Sequence, residues 1–166
     1  LHPQSFCNIS FTRCVFETNT GNAIYVYISS SKKNVPVVSF EVTDCSFICS
    51  TANALTNAVT IYKEQKEELL NLNIDITGCM FRGFTSGALH LFGVSGNIEI
   101  KNCTFKNNFI GLGFLLDSCT ASVSRCVFEA NTGQSINMRL TSTEENVRSS
   151  IKVTNCSFLH NNVNDR

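Results

Sequence analysis

Sulfur is the first chemistry this sequence offers. Nine cysteines stand among 166 residues, and six of them recur in one tripeptide: Cys14-Val15-Phe16, Cys45-Ser46-Phe47, Cys79-Met80-Phe81, Cys103-Thr104-Phe105, Cys126-Val127-Phe128 and Cys156-Ser157-Phe158. A thiol can act as nucleophile, metal ligand, half of a disulfide or small apolar core residue, depending on its exposure and neighbours. Zinc needs four convergent ligands, whereas one Cys per repeat gives a line of sulfurs, so no metal is expected. An inward ladder of mostly reduced thiols at Cys14, Cys45, Cys79, Cys103, Cys126 and Cys156 is the expectation. Adjacent repeats at strand spacing, ~4.8 Å, would also fall within disulfide range, so some pairs are open to oxidation. Cys7 and Cys119 each lie seven residues before an anchor and share one site in the turn, while Cys49 stands apart.

Other reactive groups are sparser. Glu41, Asp75 and Glu99 fall at one outward position and could form an acidic column suited to calcium or to acid and base work, but Ser10, Ser122 and Lys152 interrupt it, so a solvated face is expected. His2, His90 and His160 fall in different registers, no nucleophile elbow or phosphate loop is present, and no catalytic residue or cofactor is assigned. Three sequons, Asn8-Ile9-Ser10, Asn102-Cys103-Thr104 and Asn155-Cys156-Ser157, make Asn8, Asn102 and Asn155 candidates for N-glycosylation. Tyr25 and Tyr27 alternate with Ile24, Val26 and Ile28, face outward and could stack on a sugar.

The elements that must position these groups follow from the repeat. The Cys-x-Phe anchors are 31, 34, 24, 23 and 30 residues apart, so a unit of 23 or 24 residues has been lengthened in three intervals. Three residues before each Cys stand Phe11, Val42, Ile76, Ile100, Val123 and Val153, and five before stand Ile9, Phe40, Ile74, Ile98, Ala121 and Ile151, with polar residues between. That is strand alternation. The step from the last apolar residue to Cys is three rather than two, so Arg13, Asp44, Gly78, Asn102, Arg125 and Asn155 occupy a bend. Five residues after Cys come Asn19, Ser50, Phe84, Asn108, Asn131 and Asn161, a second corner where stacked Asn side chains could bond along the axis. A third strand shows in Ile24-Val26-Ile28, Leu89-Leu91, Leu112-Phe114-Leu116 and Ile136-Met138-Leu140. The pattern predicts an all-β, right-handed parallel β-helix of about six rungs with three short strands each, a single domain over 1–166, because stacking buries what one rung cannot. The insertions Ser29 to Val37, Lys63 to Asn71 and Thr141 to Ser150 are assigned to loops along one side.

Composition narrows the partners. Thirteen Lys+Arg balance thirteen Asp+Glu, leaving no field to attract nucleic acid. No stretch approaches 18 consecutive apolar residues, so no direct membrane insertion is expected.

Cys-x-Phe followed by Asn, as in Cys103-Thr-Phe-Lys-Asn-Asn108 and Cys156-Ser-Phe-Leu-His-Asn161, resembles the repeats of polymorphic outer-membrane proteins and, more broadly, the right-handed parallel β-helix of the pectate-lyase-like superfamily. The sequence departs from the former in lacking the Gly-Gly-Ala that often follows, offering only Gly21-Asn-Ala23 and Ser86-Gly-Ala88. The resemblance implies a surface solenoid. With the first strand starting near Leu1 and the chain ending eight residues after Phe158, a fragment of a longer solenoid is expected. Its partners would be further rungs, copies of itself end to end, or a cell-surface protein or glycan. The expected role is an extracellular or cell-surface structural or adhesive protein, a subunit or segment of a filament. The alternative is a polysaccharide-binding or polysaccharide-cleaving protein on the same fold.

Overall fold

The computed structural model describes residues 6–17, 21–28, 37–50, 56–63, 71–140 and 149–162, and all regular structure within them is β-strand. The strands coil around one core as a parallel β-helix with three faces. Face one stacks β1 (Phe6–Thr12), β4 (Val37–Thr43), β7 (Asn71–Thr77), the later parts of β9 (Gly87–Lys101) and β11 (Leu112–Ser124), and β14 (Ser150–Thr154), every pairing parallel. Its register aligns Ile9, Phe40, Ile74, Ile98, Ala121 and Ile151, and likewise Phe11, Val42, Ile76, Ile100, Val123 and Val153. These are the two apolar columns read from the sequence.

Face two is a six-stranded sheet made of the Cys-x-Phe segments: β2 (Val15–Glu17), β5 (Ser46–Ile48), β8 (Met80–Arg82), β10 (Thr104–Lys106), β12 (Val127–Glu129) and β15 (Ser157–Leu159). Face three stacks β3 (Ile24–Ile28), β6 (Asn57–Lys63), the early parts of β9 and β11, and β13 (Ile136–Leu140). Leu112 lies nine residues after its Cys, against ten for Leu89 and Ile136, yet it aligns with both, so this one-residue shortening is absorbed at the preceding corner.

The coils differ in how face three meets face one. Where no insertion intervenes, the two strands run on as one: β9 has 15 residues and β11 has 13. Strand β9 turns the corner at Gly93 (φ 64°) and Gly96 (φ 115°), and a Cβ on Gly96 would come within 2.4 Å of the Leu72 carbonyl oxygen of the preceding coil. Only glycine fits so close a backbone approach. The separate third strands survive on the lengthened coils, whose loop residues 29–36, 64–70 and 141–148 lie outside the described residues.

The first corner matches the expected bend. Arg13, Asp44, Asn102, Arg125 and Asn155 have φ of 53–54° and Gly78 has 68°. Five side chains thus tolerate left-handed backbone where glycine would be unstrained, and the corner amides of Arg13, Asp44, Gly78, Asn102 and Arg125 each donate to the next coil, as from Asp44 to the Thr77 carbonyl and from Asn102 to that of Ser124.

Candidate functional site

Three ladders run up the interior. The phenylalanines of face two stack with centroids 4.7 Å apart for Phe16–Phe47 and 4.9–5.0 Å for the rest of the series to Phe158, their planes within 7° of parallel. The strand spacing sets this separation, and each ring pair adds about 0.5–1.5 kcal/mol beyond burial.

The second ladder is the cysteines. All are free thiols, with Cys45, Cys79, Cys103 and Cys126 buried and Cys14 and Cys156 half-buried on the end coils. Each thiol stands just after the corner, and its bonds add to the backbone bonds that continue through it. The Sγ of Cys103 donates to the Lys101 carbonyl at 3.1 Å and that of Cys126 to the Ser124 carbonyl at 3.3 Å, while the amides of Cys14 and Cys45 donate to the Sγ of the next cysteine at 3.4 Å. Burial pushes the thiols of Cys45 and Cys156 up. The thiol contact with Cys126, reinforced by burial, raises Cys103. The arrangement is a corner staple: the Lys101 and Ser124 carbonyls, which already accept the amides of Gly78 and Asn102 from the preceding coil, are held a second time by a thiol.

Asparagine forms the third. The amides of Phe84, Asn108 and Asn131 each donate to the Oδ1 of the Asn one coil on, Asn108, Asn131 and Asn161, at 3.0 Å. Their Nδ2 groups reach back to the carbonyls of Phe81, Phe105 and Phe128. The expected axial bonding is present, and it is chiefly side chain to backbone. Asn19 lies outside the described residues.

Cys7 and Cys119 do share one column, through Val38, Leu72 and Gly96. Cys7 is exposed on its end coil, whereas burial pushes the Cys119 thiol up to about 12. Cys49 is buried with its Sγ 3.5 Å from the Thr56 hydroxyl.

Outside, face one brings the acidic column together. Glu41, Asp75 and Glu99 are register neighbours, flanked by Ser10 and Ser122, beside a parallel column of Asn8, Ser39, Asn73 and Asn97. An open cavity of about 360 Å³ lies over them. Two of the three charges are partnered: Lys101 Nζ sits 2.9 Å from Glu99 and 3.8 Å from Asp75, and the Thr77 hydroxyl donates to Asp75 at 2.6 Å. Among the described residues no group of three His, Cys, Asp or Glu side chains is disposed to hold a metal.

Face three carries the aromatic residues. Tyr27, Tyr62, Phe92, Leu115 and Arg139 form one outward column, and Tyr25, Thr60, His90, Gly113 and Asn137 form the next. Tyr25 and Tyr27 are exposed, as their alternation predicts. Tyr27 and Tyr62 stack at 5.7 Å with planes 8° apart, so each ring gives one face to the other. Three buried polar atoms without hydrogen-bond partners cluster on this face: Asn57 Oδ1, Thr60 Oγ1 and His90 Nε2. Thr60 is the register partner of His90, and Asn57 that of Gly87, over which the His90 ring lies. Unsatisfied buried polar groups each cost about 1–3 kcal/mol and ask for an explanation.

The sequon asparagines are all exposed, Asn8 on the outer side of face one and Asn102 and Asn155 at left-handed corners. His160 is exposed at another left-handed position (φ 53°), far along the chain from His90, and His2 lies outside the described residues.

Strand β6 and the residues Tyr62, Phe92 and Arg139 escape the sequence reading. Val59 and Ile61 lie 14 and 16 residues after Cys45, against 10 and 12 for Ile24 and Val26 after Cys14, so an insertion hides the equivalence. Tyr27, Phe92 and Arg139 each fall 13 residues after an anchor, and that count would have placed them in one column.

No family model matches this chain, and neither does any curated protein or solved structure.

Proposed function

We propose that this protein is an extracellular or cell-surface β-helix with a structural or adhesive role, working as one segment or subunit of a longer coil stack of the pectate-lyase-like kind. The observation that carries this reading is the match between the two end coils. Phe158 stacks on Phe128 by one face and is 50% exposed, and among the described residues Phe16 likewise stacks on Phe47 alone. Along the stack the amide following each Cys donates to the carbonyl of the preceding coil's Cys, in the series Ser46–Cys14, Met80–Cys45, Thr104–Cys79, Val127–Cys103 and Ser157–Cys126. Among the described residues, the Val15 amide and the Cys156 carbonyl are the two members of that series left over. The corner series, from the Arg13 amide to the Thr43 carbonyl through the Arg125 amide to the Thr154 carbonyl, runs in the opposite sense. Each end therefore offers donors, acceptors and a ring that complement the other, and a copy placed head to tail continues the Phe stack and both backbone series. Such a contact does not close and makes a filament.

Exposed sequons at Asn8, Asn102 and Asn155 support the extracellular part of the reading, because a glycan there meets no packed neighbour. A polysaccharide-binding or polysaccharide-cleaving role draws less support, with Asp75 and Glu99 of the acidic column paired to Lys101.

Light scattering and electron microscopy of the chain at rising concentration test the stacking. Oligomers that lengthen along the coil axis are expected, and Val15→Pro, which deletes the leftover amide without breaking a bond inside one copy, should abolish them while leaving the β circular dichroism unchanged. A chain that stays monomeric at millimolar concentration, with Val15→Pro indistinguishable from it, rules out self-stacking. Absence of enzymatically removable glycans after secretion from eukaryotic cells would remove the glycoprotein part.

A further inference from the structure

Face three holds a notch that neither the interior ladders nor end-to-end stacking uses. Gly113 stands in the outward column between His90 and Asn137, where a side chain would otherwise project. A cavity of about 200 Å³ opens at this place, bordered by His90, Phe92, Gly113, Leu115, Asn137 and Arg139.

Its chemistry is two-sided. Phe92 and Leu115 give an apolar wall. His90 is fixed rather than free: its ring meets Phe92 edge-on at 5.4 Å, and it lies so close over Gly113 and Gly87 that a Cβ on either would come within 2.6 Å or 2.1 Å of the imidazole. Two glycines are thus needed to seat one histidine, which burial holds in its neutral form more than is usual. Arg139 is exposed at the opposite rim, and among the described residues no carboxylate pairs with it. Further along the column of His90, Thr60 is only 5% exposed and its hydroxyl has no partner. An unpaired guanidinium and an exposed amide beside an apolar wall match an anion carried on an apolar body, since guanidinium and carboxylate geometries are complementary.

We propose that this notch binds a carboxylate borne on a small apolar group, with Arg139 and Asn137 receiving the carboxylate and Phe92 and Leu115 receiving the apolar body. The same chemistry is presented by a free apolar acid and by the C-terminal residue of a peptide. The test is a titration of the isotope-labelled chain, followed by amide NMR shifts, with 3-phenylpropionate, its neutral amide, and the peptide acetyl-Gly-Gly-Phe with a free or an amidated C-terminus. The acid should shift the amides of Gly113, Asn137 and Arg139 and saturate, and its neutral amide and the Arg139→Gln variant should each bind at least about tenfold more weakly. Tighter binding of the free-terminus peptide than of the acid identifies a chain end as the ligand; the reverse identifies a small acid. Equal shifts by acid and amide on the unaltered protein, or shifts confined to residues outside the notch, overturn the proposal without bearing on whether copies stack.

Discussion

Phe105 and Phe158 occupy the same place in their coils, and almost everything local about them is equal. Each follows a Cys whose thiol donates to the carbonyl two residues back, each coil turns at an Asn with φ 53°, and each ring stacks on the preceding one at 4.9 Å. Yet Phe105 is fully buried and Phe158 is 50% exposed. The difference is a single neighbour. Motif and corner set the geometry of a coil, while burial comes from the coil on either side, so the energy belongs to the interfaces between coils.

Substitutions at paired positions break this comparison most directly. Phe105→Ala leaves a hole between two stacked rings and should cost about 3–5 kcal/mol in urea unfolding, whereas Phe158→Ala, half-exposed already, should cost less than half as much. Similar losses at both sites would show that burial by the following coil is not what distinguishes them.

Alkaline pH sharpens the contrast within the column of Cys7 and Cys119. An unfolded thiol ionises near 9.0 and the Cys119 thiol in the fold at about 12. The raised value means the folded state holds the proton longer, so this contribution is complete below pH 9 and is lost as pH climbs from 9 to 12. Three units correspond to at most about 4 kcal/mol. Unfolding midpoints measured over that range should fall, and Cys119→Ala should flatten the slope, with the exposed Cys7→Ala as the control for loss of a thiol. An unchanged slope in Cys119→Ala would assign the alkaline loss elsewhere.

The asparagine ladder gives the smallest effect. Asn131→Ala leaves the buried Asn108 amide without its acceptor and should cost about 2 kcal/mol, while Asn161→Ala at the end of the ladder should cost about 1 kcal/mol, both read from thermal or urea midpoints.

Much of this is legible in the sequence. The Cys-x-Phe anchors gave the coil register, because one inward column repeated at every turn survives insertions that fall between anchors. The bend before each Cys was legible from a broken alternation, even at Arg13 and Arg125, whose residue type argues against left-handed backbone. What stayed hidden lies where spacing from the anchor changes or where the signal is an absence. Four extra residues before Val59 mask β6, and nothing in the isolated letters Gly87 and Gly113 says that an imidazole lies over both. The cysteine ladder was recognisable as inward, but its hydrogen bonds to corner carbonyls depend on backbone placed by neighbouring coils.

The direction of the ladder bonds has a mechanical consequence. Strand pairings between coils point along the stack axis, so tension applied along that axis loads each interface bond head-on and opens the stack from an end like a zipper, instead of shearing all its bonds together. Each coil set free would release its full contour, and anchor spacings of 31, 34, 24, 23 and 30 residues correspond to roughly 75–120 Å per step. A fibre built from such units would yield under load in small unequal increments and re-form them one at a time, a shock absorber whose step sizes are written in the insertions.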